Sequence, residues 1–247
     1  MANEAVICCV ALNEEKYLDE WMHYHFKLGF HKVYIYDNSD DNCLAYMNSD
    51  KIVVIHFPGK VQQMNSYNHF FQNYSTLHRW CAVIDCDEFI VLKQDNNIIE
   101  FLQKYLQTGA LGINWVLFGS NGHQEYSNEP VLKRFTKRQK DVNRHIKCIV
   151  CCADVLQYSQ PHHPTFMIND TCVKDVNGNI IYGPFNPLAD DKICQLNHYF
   201  TKSRGEFERK RLRGRADCDE IRLADEFFQH DFNDVEDLKA MKFMYDD

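Results

Sequence analysis

The chain has 247 residues, 45% hydrophobic and 25% charged, which is enough to bury the core of one large soluble domain. A net charge of −8 argues against a broad basic face that coats nucleic acid, and no apolar run is long enough to cross a bilayer. No basic-then-apolar leader opens the chain, and the eleven cysteines include several inside apolar runs (Cys8, Cys9, Cys81, Cys148, Cys151, Cys152), so free, core-packed thiols in the cytoplasm are expected rather than a zinc site.

In chain order, 5–12 reads as a buried strand. Asn13, followed by Glu14 and Glu15, is a good N-cap for a helix to about 28, with Leu18, Trp21, His25 and Leu28 on one face as core and Gly29 closing it. A strand at 32–36 ends in the turn-like Asp37-Asn38-Ser39. Another at 52–56 is closed by Pro58-Gly59, and 63–74 reads as helix. A fourth strand at 80–84, a helix at 97–106 and a strand at 112–118 continue the alternation, which predicts an α/β fold with a mainly parallel sheet flanked by helices. Beyond residue 120 the pattern becomes irregular. Strand-like pieces fall at 131–136, 146–155, 171–176, 180–182 and 193–199, with Asn177-Gly178 as a hairpin turn. Helices are expected at 203–213, 220–228 and 235–243. With no repeat and no linker, residues 1–247 read as a single domain with a nucleotide-binding half to about 120.

The most informative stretch is Trp80 to Phe89, where an apolar run delivers Asp85-Cys86-Asp87-Glu88. Residues i and i+2 of a strand point to one side, so Asp85 and Asp87 can converge on one cation. Burying two carboxylates without a partner would be costly, and oxygen ligands suit Mn²⁺ or Mg²⁺. In an open α/β sheet, ligands bind outside the carboxyl ends of the strands. Those ends carry Asn13-Glu14, Asp37-Asn38-Ser39, Pro58-Gly59 and Asp85-x-Asp87. Asp37 is placed to hold a nucleobase or ribose while a metal on Asp85 and Asp87 neutralises a diphosphate. Two segments, 133–147 and 202–215, each carry seven of the 27 Lys and Arg residues, which suits a small anion. Of these, Lys202, Lys210 and Arg213 are expected to meet the diphosphate, the last two sharing a helical face.

The segments Val10-Ala11-Leu12-Asn13-Glu14-Glu15 through Trp21, His25 and Leu28-Gly29, then Val33 to Ser39, resemble inverting glycosyltransferases of the family 2 and family 92 type. The resemblance continues in Ile84-Asp85-x-Asp87-Glu88-Phe89, in Trp115 to His123, and in Asn197-His198-Tyr199 with Lys202, Glu206-Phe207, Lys210 and Arg213-Gly214. Cysteine content and size are most similar to the soluble enzymes that large algal DNA viruses use on capsid glycans. The resemblance implies a GT-A (Rossmann-like) fold whose rear half, 121–247, holds the acceptor. It also implies a nucleotide-sugar donor, usually UDP-linked, a Mn²⁺ or Mg²⁺ ion, and a glycan or glycoprotein acceptor. It matches Asp37 to the base-binding acid, Asp85 and Asp87 to the metal motif, and His198 to a histidine completing the metal site.

For the catalytic base the candidates are Asp217, after Arg213-Gly214-Arg215-Ala216, and Glu125, after the Gly122-His123 turn. Asp217 is also a candidate cap for the following helix. Trp115 and Phe118 are expected to pack rather than stack on sugar, and His162-His163 before Pro164 to form a turn, the alternative being a loop at the acceptor side. Two other readings compete: a nucleotide-sugar-binding module without turnover, and a Mg²⁺-dependent phosphatase of the haloacid-dehalogenase type. The latter carries its D-x-D on the first strand, whereas here the motif follows about the fourth.

Overall fold

The structure, a computed structural model, describes residues 4–168 and 170–243. β1 (Ala5–Ala11) pairs in parallel with strands on both sides, and its continuous apolar sequence is what a strand buried on both faces needs. α1 (Glu15–Lys27) follows it. Its cap position falls on Glu14 without a side-chain cap bond, while Asn13 adopts φ +55° and turns the chain rather than capping it. The far end closes as expected, with Gly29 at φ +104° and hydrogen bonds from Gly29 N–H to Phe26 O and from Phe30 N–H to His25 O.

β2 (Lys32–Asp37), β3 (Ile52–His56), α2 (Gln63–Tyr74) and β4 (Trp80–Val83) come next, then β5 (Glu88–Leu92), α3 (Ile98–Tyr105) and β6 (Ala110–Leu117). The rear half contributes α4 (Val131–Arg134), β7 (Lys137–Arg138), β8 (Ile146–Cys151), β9 (Val155–Tyr158), β10 (Pro164–Phe166), β11 (Val173–Lys174), β12 (Ile180–Ile181) and β13 (Cys194–His198). α5 (Arg204–Leu212), α6 (Glu226–His230) and β14 (Val235–Glu236) end the series.

The main sheet runs β12-β11-β6-β8-β4-β1-β2-β3, with β13 beside the second half of β6 and β5 beyond it. Strands from the rear half are therefore interleaved with those of the front half in one sheet. β8 is antiparallel to both β4 and β6, so β6 runs parallel to β4, and β13 runs parallel to β6. The carboxyl ends of β1, β2, β4, β6 and β13 consequently share one edge, together with the start of β8. Alternate residues face opposite sides. Ile7, Cys9, Val33 and Ile35 pack with Leu18, Trp21, Phe101 and Leu102 of α1 and α3, while Val6, Cys8, Tyr34 and Tyr36 pack with Tyr67, Phe70 and Phe71 of α2. The six strand cysteines are buried in these two layers.

Three expected elements are different. Segment 131–136 forms the helical turn α4 instead of a strand, because the Glu20 carboxylate of α1 accepts hydrogen bonds from Val131 N–H (2.7 Å) and Leu132 N–H (3.0 Å). That distant cap overrides the local strand preference. The helix expected at 220–228 is reduced to α6, so Asp217 caps nothing there. The one expected at 235–243 becomes β14, paired with β7, followed by a 3₁₀ turn at Lys239–Phe243. The Asp237 side chain holds Arg138, Gln195 and Lys239, which fixes this segment across the sheet edge. Among the described residues no helix is long and apolar enough to cross a membrane.

Candidate active site

β4 ends at Val83, so Asp85 and Asp87 stand on the tight turn into β5 and not on a strand. The turn still brings both to the wall of one cleft of about 350 Å³, at the shared edge of the sheet. Glu88 folds that turn. Its Oε2 accepts from Asp85 N–H at 2.8 Å, and burial beside Asp85 and Asp87 raises its pKa well above the usual carboxylate range. Trp21 and His25, the expected core residues, back the same strand, with Trp21 Nε1–H donating to Glu88 O at 2.7 Å. Burial pushes the His25 pKa down to about 3, so the ring is a neutral packing group.

Each carboxylate has a cationic partner. Asp85 lies 3.0 Å from Lys147 Nζ and accepts from Gln63 Nε2 at 3.0 Å. Asp87 lies 2.5 Å from Lys210 Nζ and 3.5 Å from His198 Nε2. Burial alone would raise both pKa values, but Lys147 on Asp85, and Lys210 with His198 on Asp87, hold both groups below their ordinary range. His198 sits at the end of β13, opposite Glu88 in the ladder, and its buried Nδ1 has no hydrogen-bond partner. Two carboxylates and an imidazole with a free nitrogen are the right chemistry for Mn²⁺ or Mg²⁺. Among the described residues no three His, Cys, Asp or Glu side chains are already arranged to hold a metal ion.

The cations come from the end of α5 and the segment after it. The Ser203 cap and Glu206 form a reciprocal capping box that starts α5. Its last turn carries Lys210 and Arg213 into the cleft, joined by Arg215 and Arg222. Burial, opposed by Asp87 but reinforced by Lys202, Arg222 and Arg213, pushes the Lys210 pKa down to about 8. Burial and the charges of Arg215 and Arg213 likewise lower that of Arg222. These like charges depress one another despite the carboxylates of Glu14, Asp85, Asp87, Asp217 and Glu226 around them, and a bound anion would relieve that repulsion.

Other expected site residues lie elsewhere. Asp37 is fully buried and lines neither this cleft nor its neighbour. Its oxygens accept from Ser39 N–H (3.0 Å) and Leu44 N–H (2.9 Å), folding the turn after β2. Asn38 donates to Phe57 O and Gly59 O, and Ser39 Oγ accepts from Cys43 N–H, so both staple loops together. Asn13 and Lys202 line an adjoining cavity of about 540 Å³, where the Lys202 ammonium sits 4.1 Å from the Tyr17 ring centre and 3.6 Å from Glu14. Glu14 is buried between Lys202 and Arg213, the latter at 2.5 Å, and borders both cavities with Lys210 and Arg213. Of the base candidates, Asp217 stands exposed on the cleft rim, whereas Glu125 is exposed on the 119–125 turn against Gly205 and does not line the cleft.

Sequence reading missed Lys147, Gln63, His145 and Trp115 on or behind the wall. Phe118 is buried in the core, but Trp115 lines the cleft. A lone lysine inside the apolar run of β8 was the available signal, since a buried lysine needs a carboxylate. His162 lies on a turn as expected, and that turn reaches the cleft.

Residues 4–183 match the model of glycosyltransferase family 92. A family 92 protein of Ricinus communis is 25% identical over 211 residues, covering 80% of this chain and 35% of its own length. One of Oryza sativa subsp. japonica is 26% identical over 153 residues, 58% of this chain and 26% of that protein. A third, from Arabidopsis thaliana, is 23% identical over 160 residues, 58% of this chain and 28% of its own. The chain thus spans about a third or less of these relatives. The match takes in β1 to β12 and the Asp85-x-Asp87 turn, and this chain belongs to glycosyltransferase family 92.

Proposed function

We propose that this chain transfers a sugar from a nucleoside-diphosphate donor, UDP-linked, to a hydroxyl of a glycan or glycoprotein, with inversion at the anomeric carbon. The observation that carries this reading is the gathering of Lys210, Arg213, Arg215 and Arg222 with the Asp85–Asp87 turn in one cleft of about 350 Å³. Asp85, Asp87 and His198 would hold a Mn²⁺ or Mg²⁺ ion, which supplies charge neutralisation of the diphosphate when bound. Lys210 and Arg213 exchange part of their contact with Asp87 and Glu14 for phosphate oxygens, stabilising the negative charge that grows on the leaving group. Glu14 keeps Arg213 aimed at the cleft, and Arg213 in turn donates to Leu12 O, which ties the end of β1 to the end of α5. Free thiols throughout the core fit work in a reducing compartment, as for the viral capsid-glycan enzymes the sequence resembles.

A donor screen tests this reading. Purified chain with Mn²⁺ should release UDP from at least one UDP-sugar when a glycan acceptor is present, and EDTA should abolish the release. No nucleotide release across the common sugar nucleotides would refute the activity, and full activity in EDTA would remove the metal from it.

A further inference from the structure

Beside His198, whose ring centre lies 4.3 Å from that of Trp115, the cleft carries a row of further rings. Trp115 stacks on His145 with ring centres 4.8 Å apart and 23° between planes, and His145 meets Phe185 at 4.5 Å. Trp115 and His145 line the cleft, while Phe185 is 49% exposed, so the rings lead from the cleft to the surface. The track is built rather than incidental. Segment 184–186 bridges segment 144–146 through Ile146 N–H to Pro184 O and Asn186 N–H to Arg144 O, which seats the Phe185 ring on His145. A sugar presents an apolar C–H face and a polar rim of hydroxyls. A short file of aromatic faces with a few placed polar atoms is the surface that accepts it.

His145 also has a fixed tautomer. Asn143 Oδ1 accepts the backbone N–H of His145 at 2.9 Å, which identifies that atom as the amide oxygen. The same oxygen lies 2.9 Å from His145 Nδ1, so Nδ1 carries the proton and Nε2 keeps its lone pair. Asn143 is itself anchored, its N–H on Trp115 O and its carbonyl on the side chain of Asn114. We propose that Trp115, His145 and Phe185 form the acceptor-glycan subsite, and that His145 Nε2 is the catalytic base that takes the proton of the attacking hydroxyl. The inference rests on the glycosyltransferase reading above.

In the step, the acceptor oxygen bonds to the anomeric carbon and its proton passes to Nε2. The bond from that carbon to the β-phosphate oxygen breaks, and its electron pair leaves with the nucleoside diphosphate. The imidazolium keeps its Nδ1–H bond to Asn143, a positioning residue. The groups facing His145 are His162 from the 161–162 turn, His198 of β13 and His230 of α6, with Lys147 two residues along β8. With Nδ1–H held on Asn143 Oδ1, Nε2 is the ring's open proton-accepting atom. His162 has its Nδ1 on Ile146 O, but burial and Lys147 push its pKa to about 3, a much weaker base.

The test uses the full chain with Mn²⁺, the UDP-sugar found active in the screen, and methyl glycosides as acceptors. His145→Ala should lower kcat for transfer by about 100-fold or more, with the Kd for UDP within about twofold, and added imidazole should restore part of the rate. Phe185→Ala should raise the acceptor KM with little change in kcat. Asn143→Asp, which keeps an acceptor on Nδ1, should retain far more activity than Asn143→Leu at equal thermal stability. Near-normal transfer by His145→Ala overturns the assignment, as does loss of transfer in Asp217→Asn with His145→Ala spared. A wild-type chain that neither binds UDP nor transfers overturns the underlying activity as well, so the two failures are distinct.

Discussion

Asp85 and Asp87 are not equivalent, although the sequence writes them as a pair. Lys147, the partner of Asp85, has a side chain only 1% exposed, so Asp85→Ala leaves a buried ammonium with no carboxylate beside it. Breaking such a pair from one side costs on the order of 3 kcal/mol. Asp85→Ala should therefore lose both activity and thermal stability. Adding Lys147→Met should recover melting temperature without activity, a cycle that calorimetry and UDP release would read together. Asp37 supplies a second residue-scale expectation. Because its oxygens serve two backbone N–H groups, Asp37→Ala should destabilise by about 1–3 kcal/mol in urea unfolding. Its affinity for UDP should change much less than that of Lys210→Met, and isothermal titration of both variants would check the order. Sequence spacing led one to expect Asp85 and Asp87 to converge, and the turn after β4 brings both to one cleft wall. Spacing could not tell a ligand from a loop-folding group at Asp37, because both need a carboxylate at a strand end.

At the scale of elements, α1, α4 and α5 meet at one buried ion pair. Glu206 of α5 takes Arg134 in a two-pronged bond at 2.8 and 2.9 Å, and also accepts from Tyr17 OH and from Ser203 N–H. Burial alone would raise its pKa. The bonds from Arg134, Ser203 and Tyr17 outweigh that and pull it down to about 2. A depressed carboxylate stabilises the fold above its unfolded pKa of about 4.3, and that contribution disappears as pH falls toward 2. The amount is roughly 3 kcal/mol. Thermal melts between pH 6 and pH 2.5 should thus show a steep acid loss that Glu206→Gln flattens, since the variant has already forfeited it. The helix at 203–213 was legible, and its capping box joins residues only three apart. The pair with Arg134 was not, being 72 positions away, and neither was the cap that Glu20 puts on α4 across 111. Local propensity therefore suggested a strand at 131–136 where a long-range bond imposes a helical turn.

At the scale of the molecule, the parallel front half was readable because each strand and helix announces itself by periodicity. The rear half was read only in fragments. Its strands are two to six residues long and owe their places to neighbours such as β6, which serves β8, β11 and β13 in turn. The gathering of cations from α5 onto acids after β4 depended on that topology, so spacing alone could not supply it. The interleaving has a measurable consequence. β13 lies between β5 and β6, and a version ending at residue 193 would leave both strands open and Asp87 without His198 and Lys210. It should show no cooperative unfolding transition, whereas the full chain should show one.

The same placement of β13 matters while the protein is being made. β5 is apolar after Glu88 and buried along its length, and among the described residues its only strand partner is β13. On the ribosome it must wait until residues 194–198 have been made, and Asp87 waits 123 residues for Lys210. At translation rates of about 5–20 residues per second the delay is roughly 6–25 s. Through that interval the nascent chain carries a sticky, unpaired edge beside uncompensated acids. A holding chaperone that covers Glu88–Leu92 should raise the yield of native protein, and slowing elongation between the codons for residues 92 and 194 should lower it.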